Sequence, residues 1–354
     1  MGKAAEPWFE LDTDPASIQR IMPPGRGERF EGVAFSPSGD TLAIATSESN
    51  SVLLFRRATD GRFAETPFQV IGKPGLKYPH DVSFSHADGG ELLAIAQREG
   101  AIAVYARYGA HEYDPTPAVE ITGPQSKLAF SDAVDFVPPD DRYLAACNLE
   151  RGTISFFPAL RHWLPAFART PELEFKHPSI HHPDGLAFSA CGNWLATANH
   201  GGHTVTVLRR RAGLFAPQRI RLSRRPVTII KDPLLRHPHS VAFTPATNHL
   251  VVTNAGANYF TVYAPERRRL ATRWSQQPVA QVIAHDDDVF KAVNMADKTE
   301  GGPKGVAVTK DTLAICSPQI GMKIYSFREG WKEPHGDSGG GSAKAASTMA
   351  VARA

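Results

Sequence analysis

A motif of two short apolar strands joined by a polar turn recurs six times along the 354 residues of the chain. Its clearest copy, at 181–199, has a polar start, a first strand, a turn with Gly192 and Asn193, and a second strand. Repeats of roughly fifty residues with strands in every unit are typical of a β-propeller, in which each repeat forms one blade. The first-strand residues that fix the register are Val33, Val82, Val134, Leu186, Val241 and Val306.

Each repeat continues into a third apolar strand, and the first five also into a weaker fourth one, such as 51–55 and 68–71 in the first repeat. The sixth repeat has no fourth strand, and an unassigned strand at 18–21 precedes the first repeat. We therefore expect the N-terminal strand to complete the last blade, which removes two unpaired sheet edges. The sequence predicts an all-β fold: a six-bladed β-propeller with four-stranded blades, closed into a ring by an N-terminal strand.

The propeller is predicted to span 18–331, after an N-terminal arm at 1–17 and before a Gly-, Ser- and Ala-rich tail at 332–354 that we expect to be disordered. The longest gap between repeats contains an insert at 285–303, in which aspartates precede a short predicted helix. Such an insert is either a wall of a site or a plain insertion.

Composition narrows the class of partner and the compartment. A net charge of +3 does not favour nucleic acid as a partner, and no apolar run is long enough to span a membrane. Three cysteines without a pairing pattern, and no secretory signal, predict a reducing, cytoplasmic location.

The most informative side chains lie two positions before each register residue, where all six repeats carry an ionisable group. The first strand of each propeller blade lines the central channel, so we expect these six groups to meet at the channel mouth. Carboxylates and imidazoles in one place repel and desolvate each other unless a cation lies between them. The six residues are Glu31, His80, Asp132, Asp184, His239 and Lys304.

This ring predicts a divalent metal ion, with Glu31, Asp132, Asp184, His80 and His239 as its ligands. Oxygen-rich sets suit Ca²⁺, Mg²⁺ or Mn²⁺, and added imidazoles favour Mn²⁺ or Zn²⁺. Two other interpretations stay open. Lys304 can be the internal cation of a salt-bridge network without a metal. Polar residues at such corners can also simply cap strands.

A second polar ring ends the second strands of the repeats. Hydroxyl and amide side chains at such positions mostly form turns, and we expect this ring near the opposite end of the channel or within the loops. Its members are Thr46, Gln97, Asn148, Asn199, Asn254 and Ser317.

The run at 181–207 and the related run that begins at Phe30 resemble lactonase-type propellers. Two families share these features: the gluconolactonase/regucalcin family, with six blades and a divalent metal, and the 6-phosphogluconolactonase-like family, usually with seven blades and no such metal. Resemblance to the first implies that Glu31, before a glycine, and Asp184, between Pro183 and Gly185, hold the metal, with Asp184 as catalytic base. Asp132 stands where that family has an asparagine.

These features predict a metal-assisted hydrolase of a small lactone or ester-like substrate in the central channel, with no organic cofactor. The metal would polarise the substrate carbonyl, Asp184 or His239 would activate water, and Lys304 would stabilise the oxyanion. The alternative is a non-catalytic propeller that binds a ligand or a protein partner. A weaker alternative is a lyase or isomerase that uses the channel histidines.

Overall fold

The computed structural model describes residues 10–21, 28–72, 75–87, 89–161, 166–211, 219–268, 271–296, 300–318, 320–328 and 351–352. The described residues form six antiparallel sheets of at least four strands, arranged as blades around a central channel. This confirms the predicted all-β, six-bladed propeller. The predicted arm lies outside the described residues at 1–9, as does the predicted tail except for 351–352.

The strands follow the repeats closely. Strand β1 (Gln19–Ile21) precedes blade one, which contains β2 (Phe30–Phe35), β3 (Thr41–Thr46), β4 (Ser51–Arg56) and β5 (Gln69–Ile71). Blade two contains β6 (Pro79–Phe84), β7 (Leu92–Gln97), β8 (Ala101–Ala106) and β9 (Val119–Ile121). Blade three contains β10 (Ser131–Phe136), β11 (Tyr143–Asn148), β12 (Thr153–Arg161) and β14 (Leu173–Lys176), and the short β13 (Ala166–Phe167) pairs antiparallel with the end of β12.

Blade four contains β15 (Pro183–Phe188), β16 (Trp194–Asn199), β17 (Thr204–Arg209) and β18 (Thr228–Ile230). Blade five contains β19 (Pro238–Phe243), β20 (Leu250–Asn254), β21 (Tyr259–Tyr263) and β24 (Ala280–Ile283), with a hairpin of β22 (Pro265–Arg268) and β23 (Ala271–Trp274). After helix α1 (Asp287–Ala296), blade six contains β25 (Val306–Val308), β26 (Thr312–Ser317) and β27 (Gly321–Ser326). Strand β28 (Val351–Ala352) pairs with the edge of blade five.

The N-terminal strand closes the ring, as predicted. Strand β1 pairs antiparallel with β27, with Gln19 opposite Ile324 and Ile21 opposite Met322. The buried Gln19 amide also donates to the carbonyl of Phe63 at 2.6 Å and accepts from its N–H at 2.9 Å. Blade six is therefore joined to blade one by a side chain as well as by a strand.

The hydrophobic core lies between the blades. Each of the six buried clusters combines strands of two neighbouring blades, because the sheets pack face to face around the ring. Phe55 and Phe157 are about 1% exposed or less, and full burial of a side chain of this size contributes about 1.5–3 kcal/mol. No helix within the described ranges is long and apolar enough to cross a membrane.

Candidate functional site

The ring residues stand at breaks in the strand pairing. In blades one to five, the register between the first two strands shifts beside the ring residue, for example between Phe30 and Val33 and between Pro183 and Gly185. Such bulges release a residue from the regular ladder and turn its side chain in a new direction. Each blade can therefore direct an ionisable group into the channel while its first strand stays in the sheet.

Glycines let the first strands approach each other closely. A β-carbon on Gly32 would lie 2.5 Å from the Cα of Asp81, and one on Gly185 would lie 2.4 Å from the carbonyl oxygen of His239. Real β-carbons do not come this close to backbone atoms of a neighbouring strand. The glycines that follow Glu31 and Asp184 therefore keep the channel narrow.

All six ring residues meet at one place, and none is more than 3% exposed. Glu31 Oε2 lies 3.5 Å from His80 Nε2 and 3.4 Å from His239 Nε2. Asp184 approaches the same two imidazoles at 3.9 Å and 3.7 Å. Lys304 Nζ lies 3.2 Å from Glu31 Oε2, and the structure therefore brings every predicted site residue into one cluster.

Five buried side-chain nitrogen and oxygen atoms in this cluster have no hydrogen-bond partner among the described residues. The Nδ1 of His80 lies 2.7 Å from the carbonyl oxygen of Asp132. A carbonyl can only accept, so Nδ1 carries the proton and Nε2 presents a lone pair to the ring. The unpartnered atoms are Glu31 Oε2, His80 Nε2, Asp132 Oδ2, Asp184 Oδ1 and His239 Nε2.

The donor set fits a metal ion. Two groups of three side chains can each direct one ligand atom to a common point, with the atoms of a group all within 4.8 Å of one another. One group is Glu31, His80 and His239, and the other is His80, Asp132 and Asp184. Four ligands at about 2.0–2.2 Å from one cation are separated by roughly 3.0–3.6 Å, close to the 3.4–3.9 Å measured here. The cavity between these side chains measures about 10 Å³, which is room for about one water molecule or ion.

Burial sets the protonation of the imidazoles. It lowers the pKa of His80 well below its usual range, with the Arg98 charge acting in the same direction. It also lowers the pKa of His239 to about 4, although the nearby Glu31 carboxylate acts in the opposite direction. Both imidazoles are therefore neutral near pH 7, the form in which histidine binds a metal.

Burial also raises the pKa of Asp132 to about 8, with the Asp184 charge adding to the effect and Arg98 opposing it. The pKa of Asp184 rises to about 6 for the same reason, although the Arg98 charge opposes the rise. Glu31 differs: burial favours its protonated form, but the Lys304 charge, together with the two imidazoles and Arg29, outweighs burial and holds its pKa well below the usual range. Nearby cations thus outweigh burial at Glu31, whereas burial outweighs the Arg98 charge at the two aspartates.

An outer layer of charged side chains covers the ring, and it was not predicted from the sequence. Arg98 donates to Asp132 at 2.7 Å, and Arg29 donates to Glu31. Glu300, from the insert, accepts from Lys304 at 2.8 Å and lies 3.1 Å from the His200 imidazole. The only sequence signal was position in the chain, because these residues lie within four residues before a ring residue or directly after a second strand.

The second polar ring lies at the same end of the channel as the first, not at the opposite end. The strands pair antiparallel, so Thr46, at the end of β3, stands opposite Phe30 at the start of β2. Its members fix the loops of the mouth: the Gln97 oxygen accepts from the Lys77 N–H at 2.7 Å, and the Asn254 oxygen accepts from the Arg236 N–H at 2.9 Å. These contacts agree with a turn-forming role.

A larger cavity, of about 640 Å³, lies beside the mouth at the same end of blade four. Its size is that of a small-molecule pocket. It connects to the outer layer through a row of imidazoles in contact, since His203 lies 4.5 Å from His237 and His237 lies 4.6 Å from His200, centroid to centroid. Its lining includes His177, His181, His203, Thr204, Lys231 and Asp232.

Residues 168–282 match the family described as Lactonase, 7-bladed beta-propeller. The predicted resemblance to a lactonase-type propeller is confirmed over this range, which includes Asp184 and His239. The described residues nevertheless form six blades, where that description has seven. No curated protein sequence matched the chain.

Two solved structures share the propeller fold. The RRP9 WD40 repeats superpose with a TM-score of 0.56 at 11% identity, over 91% of this chain and 99% of that one. The Myceliophteria thermophila Cps50 (Swd1) β-propeller domain gives 0.56 at 11% identity, over 87% and 98%. At this identity the likeness concerns the fold alone.

Proposed function

We propose that the ring binds one divalent metal ion and that the protein is a metal-assisted hydrolase of a small lactone or ester-like substrate. The observation that supports the metal is the convergence of five buried, unpartnered nitrogen and oxygen atoms among the described residues. The similarity of residues 168–282 to a seven-bladed lactonase family supports lactone hydrolysis as the reaction class, while the metal rests on the ring alone. Both supports meet at Asp184 and His239, which lie in the matched range and in the ring.

The mixed donor set favours Mn²⁺ or Zn²⁺ over Ca²⁺ and Mg²⁺. Glu31 and Asp184 supply oxygens, while His80 and His239 supply nitrogens, and imidazoles are ligands of transition metals more than of hard cations. Asp132 has a second task in this proposal, because its carbonyl accepts from His80 Nδ1. Such an outer contact fixes the tautomer and orientation of a ligating imidazole.

Lys304 alone, as an internal cation, does not compensate the negative charge of the ring carboxylates. Its ammonium hydrogen-bonds to Glu300 and lies 3.2 Å from Glu31. The unpartnered atoms of Asp132 and Asp184 have no comparable donor within the described ranges. A second cation among the aspartates and imidazoles would relieve this desolvated negative charge.

In the reaction, a bound divalent ion would supply Lewis acidity and a water of lowered pKa. Asp184 directs one oxygen toward His80 and the other toward His239, so one oxygen can accept a proton from water while the other holds its place in the ring. His239, neutral near pH 7, is the second candidate base. The Lys304 ammonium has three N–H groups and two carboxylate neighbours, which leaves one for an oxyanion.

The substrate would lie above the ring, on the mouth side. A cavity of about 10 Å³ has room for an ion but not for a lactone. The side chains of Arg98, Glu300 and His200 are 17–24% exposed, while the ring beneath them is buried. These groups are therefore the surface that a substrate would meet first.

The test is hydrolysis of a panel of lactones and esters by protein stripped with a chelator and then reloaded with Mn²⁺ or Zn²⁺. We expect activity only after reloading, and a loss in kcat/KM of about 10² or more in Asp184→Asn and His239→Gln. Asp135→Asn is the matched control, because Asp135 is a buried carboxylate outside the ring that accepts from Ser83 and from the Phe188 N–H. Equal hydrolysis by stripped and reloaded protein would contradict the proposal.

The second candidate is a non-catalytic propeller that binds a small ligand. The specific observation in its favour is the cavity of about 640 Å³ beside a ring that has room only for an ion. In this case the metal would stabilise the fold, and the chain would bind the metal without hydrolysing any member of the panel.

A further inference from the structure

Arg98 lies at the channel mouth with its guanidinium held from three sides. Its Nε donates to Asp132 Oδ1 at 2.7 Å. Its Cζ lies 5.5 Å from the centroid of the Tyr78 ring and 5.1 Å from that of Phe130. Two aromatic rings and one carboxylate therefore fix the orientation of the guanidinium plane.

The outer edge of this guanidinium is unused. Within the described residues, the two terminal amino groups of Arg98 make no hydrogen bond, and neither is a buried atom without a partner. The side chain is 17% exposed, while its partner Asp132 is fully buried. The amino groups thus remain open to solvent, in the paired arrangement that suits the two oxygens of a carboxylate or phosphate.

The two aromatic residues that hold Arg98 have unusual backbones. Tyr78 has a φ of 51° and Phe130 a φ of 56°, a left-handed conformation that is uncommon for bulky residues. Phe130 is also 37% exposed. His182 and His237, which also lie two residues before a ring residue, share this conformation with a φ of 49°, so it is a feature of these blade corners, and at two of them it places an aromatic ring beside Arg98.

The charge of the cluster links this arginine to the metal. Four carboxylates and three cationic side chains meet here, which leaves one net negative charge when every carboxylate is ionised and the imidazoles of the cluster are neutral. A divalent ion would change this to one net positive charge, so an anion would be attracted after the metal has bound. The residues counted are Glu31, Asp132, Asp184, Glu300, Arg29, Arg98 and Lys304.

We propose that Arg98 binds an anionic group of the substrate, and that the protein acts on small molecules that carry a carboxylate or a phosphate. This inference rests on the proposed function, because it takes the mouth to be the substrate site. The anion can nevertheless be measured by itself, without turnover.

The experiment is calorimetric titration of the Mn²⁺-loaded protein with acetate and with methyl phosphate at fixed ionic strength, after titration with Mn²⁺ alone. We expect saturable binding of at least one anion, weakened about tenfold or more in Arg98→Lys. Lysine retains the charge beside Asp132 but lacks the planar pair of donors. Arg209→Lys is the matched control, since Arg209 stacks on Trp194 at 5.7 Å and ends β17, away from the mouth.

Phe130→Leu provides a second variant that leaves the Arg98 charge in place. It removes one wall of the clamp at an exposed position, and we expect several-fold weaker anion binding with unchanged Mn²⁺ affinity. Mn²⁺ binding with no anion binding, or equal anion affinity in Arg98→Lys and wild type, would overturn this inference and leave the proposed function standing. No Mn²⁺ binding in the wild type would overturn the proposed function itself.

Discussion

His80 and His239 face each other across the channel, with ring centroids 5.0 Å apart and ring planes inclined by 31°. They come from blades two and five, which lie opposite each other in a ring of six. Burial keeps both imidazoles neutral, and both Nε2 atoms approach the same oxygen of Glu31. Two neutral bases therefore face a carboxylate in a dry cavity, an arrangement that a metal ion would stabilise.

The first prediction concerns metal-linked stability. At a free Mn²⁺ concentration one hundred times Kd, binding to the folded state alone contributes about 2.7 kcal/mol. We expect this increment in wild type and its loss in Asp184→Asn, which removes a ligand charge without changing the side-chain shape. Urea unfolding with Mn²⁺ and with chelator measures it, and elemental analysis gives the stoichiometry.

Asp135→Asn again serves as the control for this experiment. It alters a buried carboxylate between blades that does not face the channel, so its baseline stability can change while its metal increment should not. A full metal increment in Asp184→Asn would contradict the assignment of that residue as a ligand.

The second prediction is a loss of stability of the metal-free protein between pH 6.5 and pH 8. The folded-state pKa of Asp132 is about 8, above its ordinary 3.8, so its contribution is fully present at low pH and is lost as the pH rises toward 8. The pKa of His239 is lowered to about 4, so its contribution is present above pH 6.5 and lost only as the pH falls toward 4. Above pH 6.5 the slope therefore comes from groups with raised pKa values.

Asp132→Asn isolates its share of that slope. Burial also raises the pKa of Asp81, and Glu300 and Asp184 raise the pKa of His200 against the effect of burial, so these groups change stability in the same direction as Asp132. We expect about 2 kcal/mol less pH dependence over this range in the variant than in wild type. Urea unfolding in chelator at several pH values measures the difference, and parallel curves for the two proteins would contradict it.

The fold was predictable because one pattern is repeated six times. A single copy of a Leu-Ala-Phe strand is ambiguous, but six copies in register predict the blades, and they place residues such as Glu31 and Asp184 at equivalent corners. The closing strand β1 was predictable as well, because blade six had a missing strand and the N-terminus had an extra one. Helix α1 lies in the insert where the aspartates predicted it.

The outer layer of the site was not predictable in the same way. Arg98 and Glu300 lie in loops whose sequences differ from one repeat to the next. Their contacts with Asp132 and Lys304 depend on the path that each loop takes across the channel mouth. The sequence also did not determine at which end of the channel Asn254 and its equivalents lie. Strand pairing, and not side-chain type, decides that position.

The third prediction concerns Lys304→Met. The substitution removes the buried cation from Glu31 and Glu300 and leaves both carboxylates less compensated. Removing one partner of a buried pair costs about 3–5 kcal/mol, so we expect a loss of this size in the metal-free protein. Because the ring becomes more negative, added Mn²⁺ should restore more stability than it adds to wild type.

Lys323→Met is the matched control for this variant. Lys323 is a partly buried lysine of β27 whose ammonium donates to the carbonyl of Ala284, outside the ring. Its loss should leave the metal increment at the wild-type value. An Mn²⁺ increment in Lys304→Met no larger than that of wild type would show that the lysine and the metal do not share the charge of the ring.

The fourth prediction concerns Gly185→Ala, which tests whether the close spacing of β15 and β19 determines the geometry of the ring. The new methyl group would lie 2.4 Å from the His239 carbonyl oxygen and 2.7 Å from the Cα of Ser240. Backbone atoms cannot move away as a flexible side chain can, so β15 and β19 must separate. We expect about 1–3 kcal/mol of destabilisation and weaker Mn²⁺ binding, because Asp184 and His239 move apart with their strands.

Gly61→Ala is the control for a glycine with no neighbour within 4 Å of the added carbon. It should cost stability through its φ of 84° alone, with Mn²⁺ affinity unchanged. Wild-type Mn²⁺ affinity in Gly185→Ala would show that the spacing of these two strands does not determine the geometry of the ring.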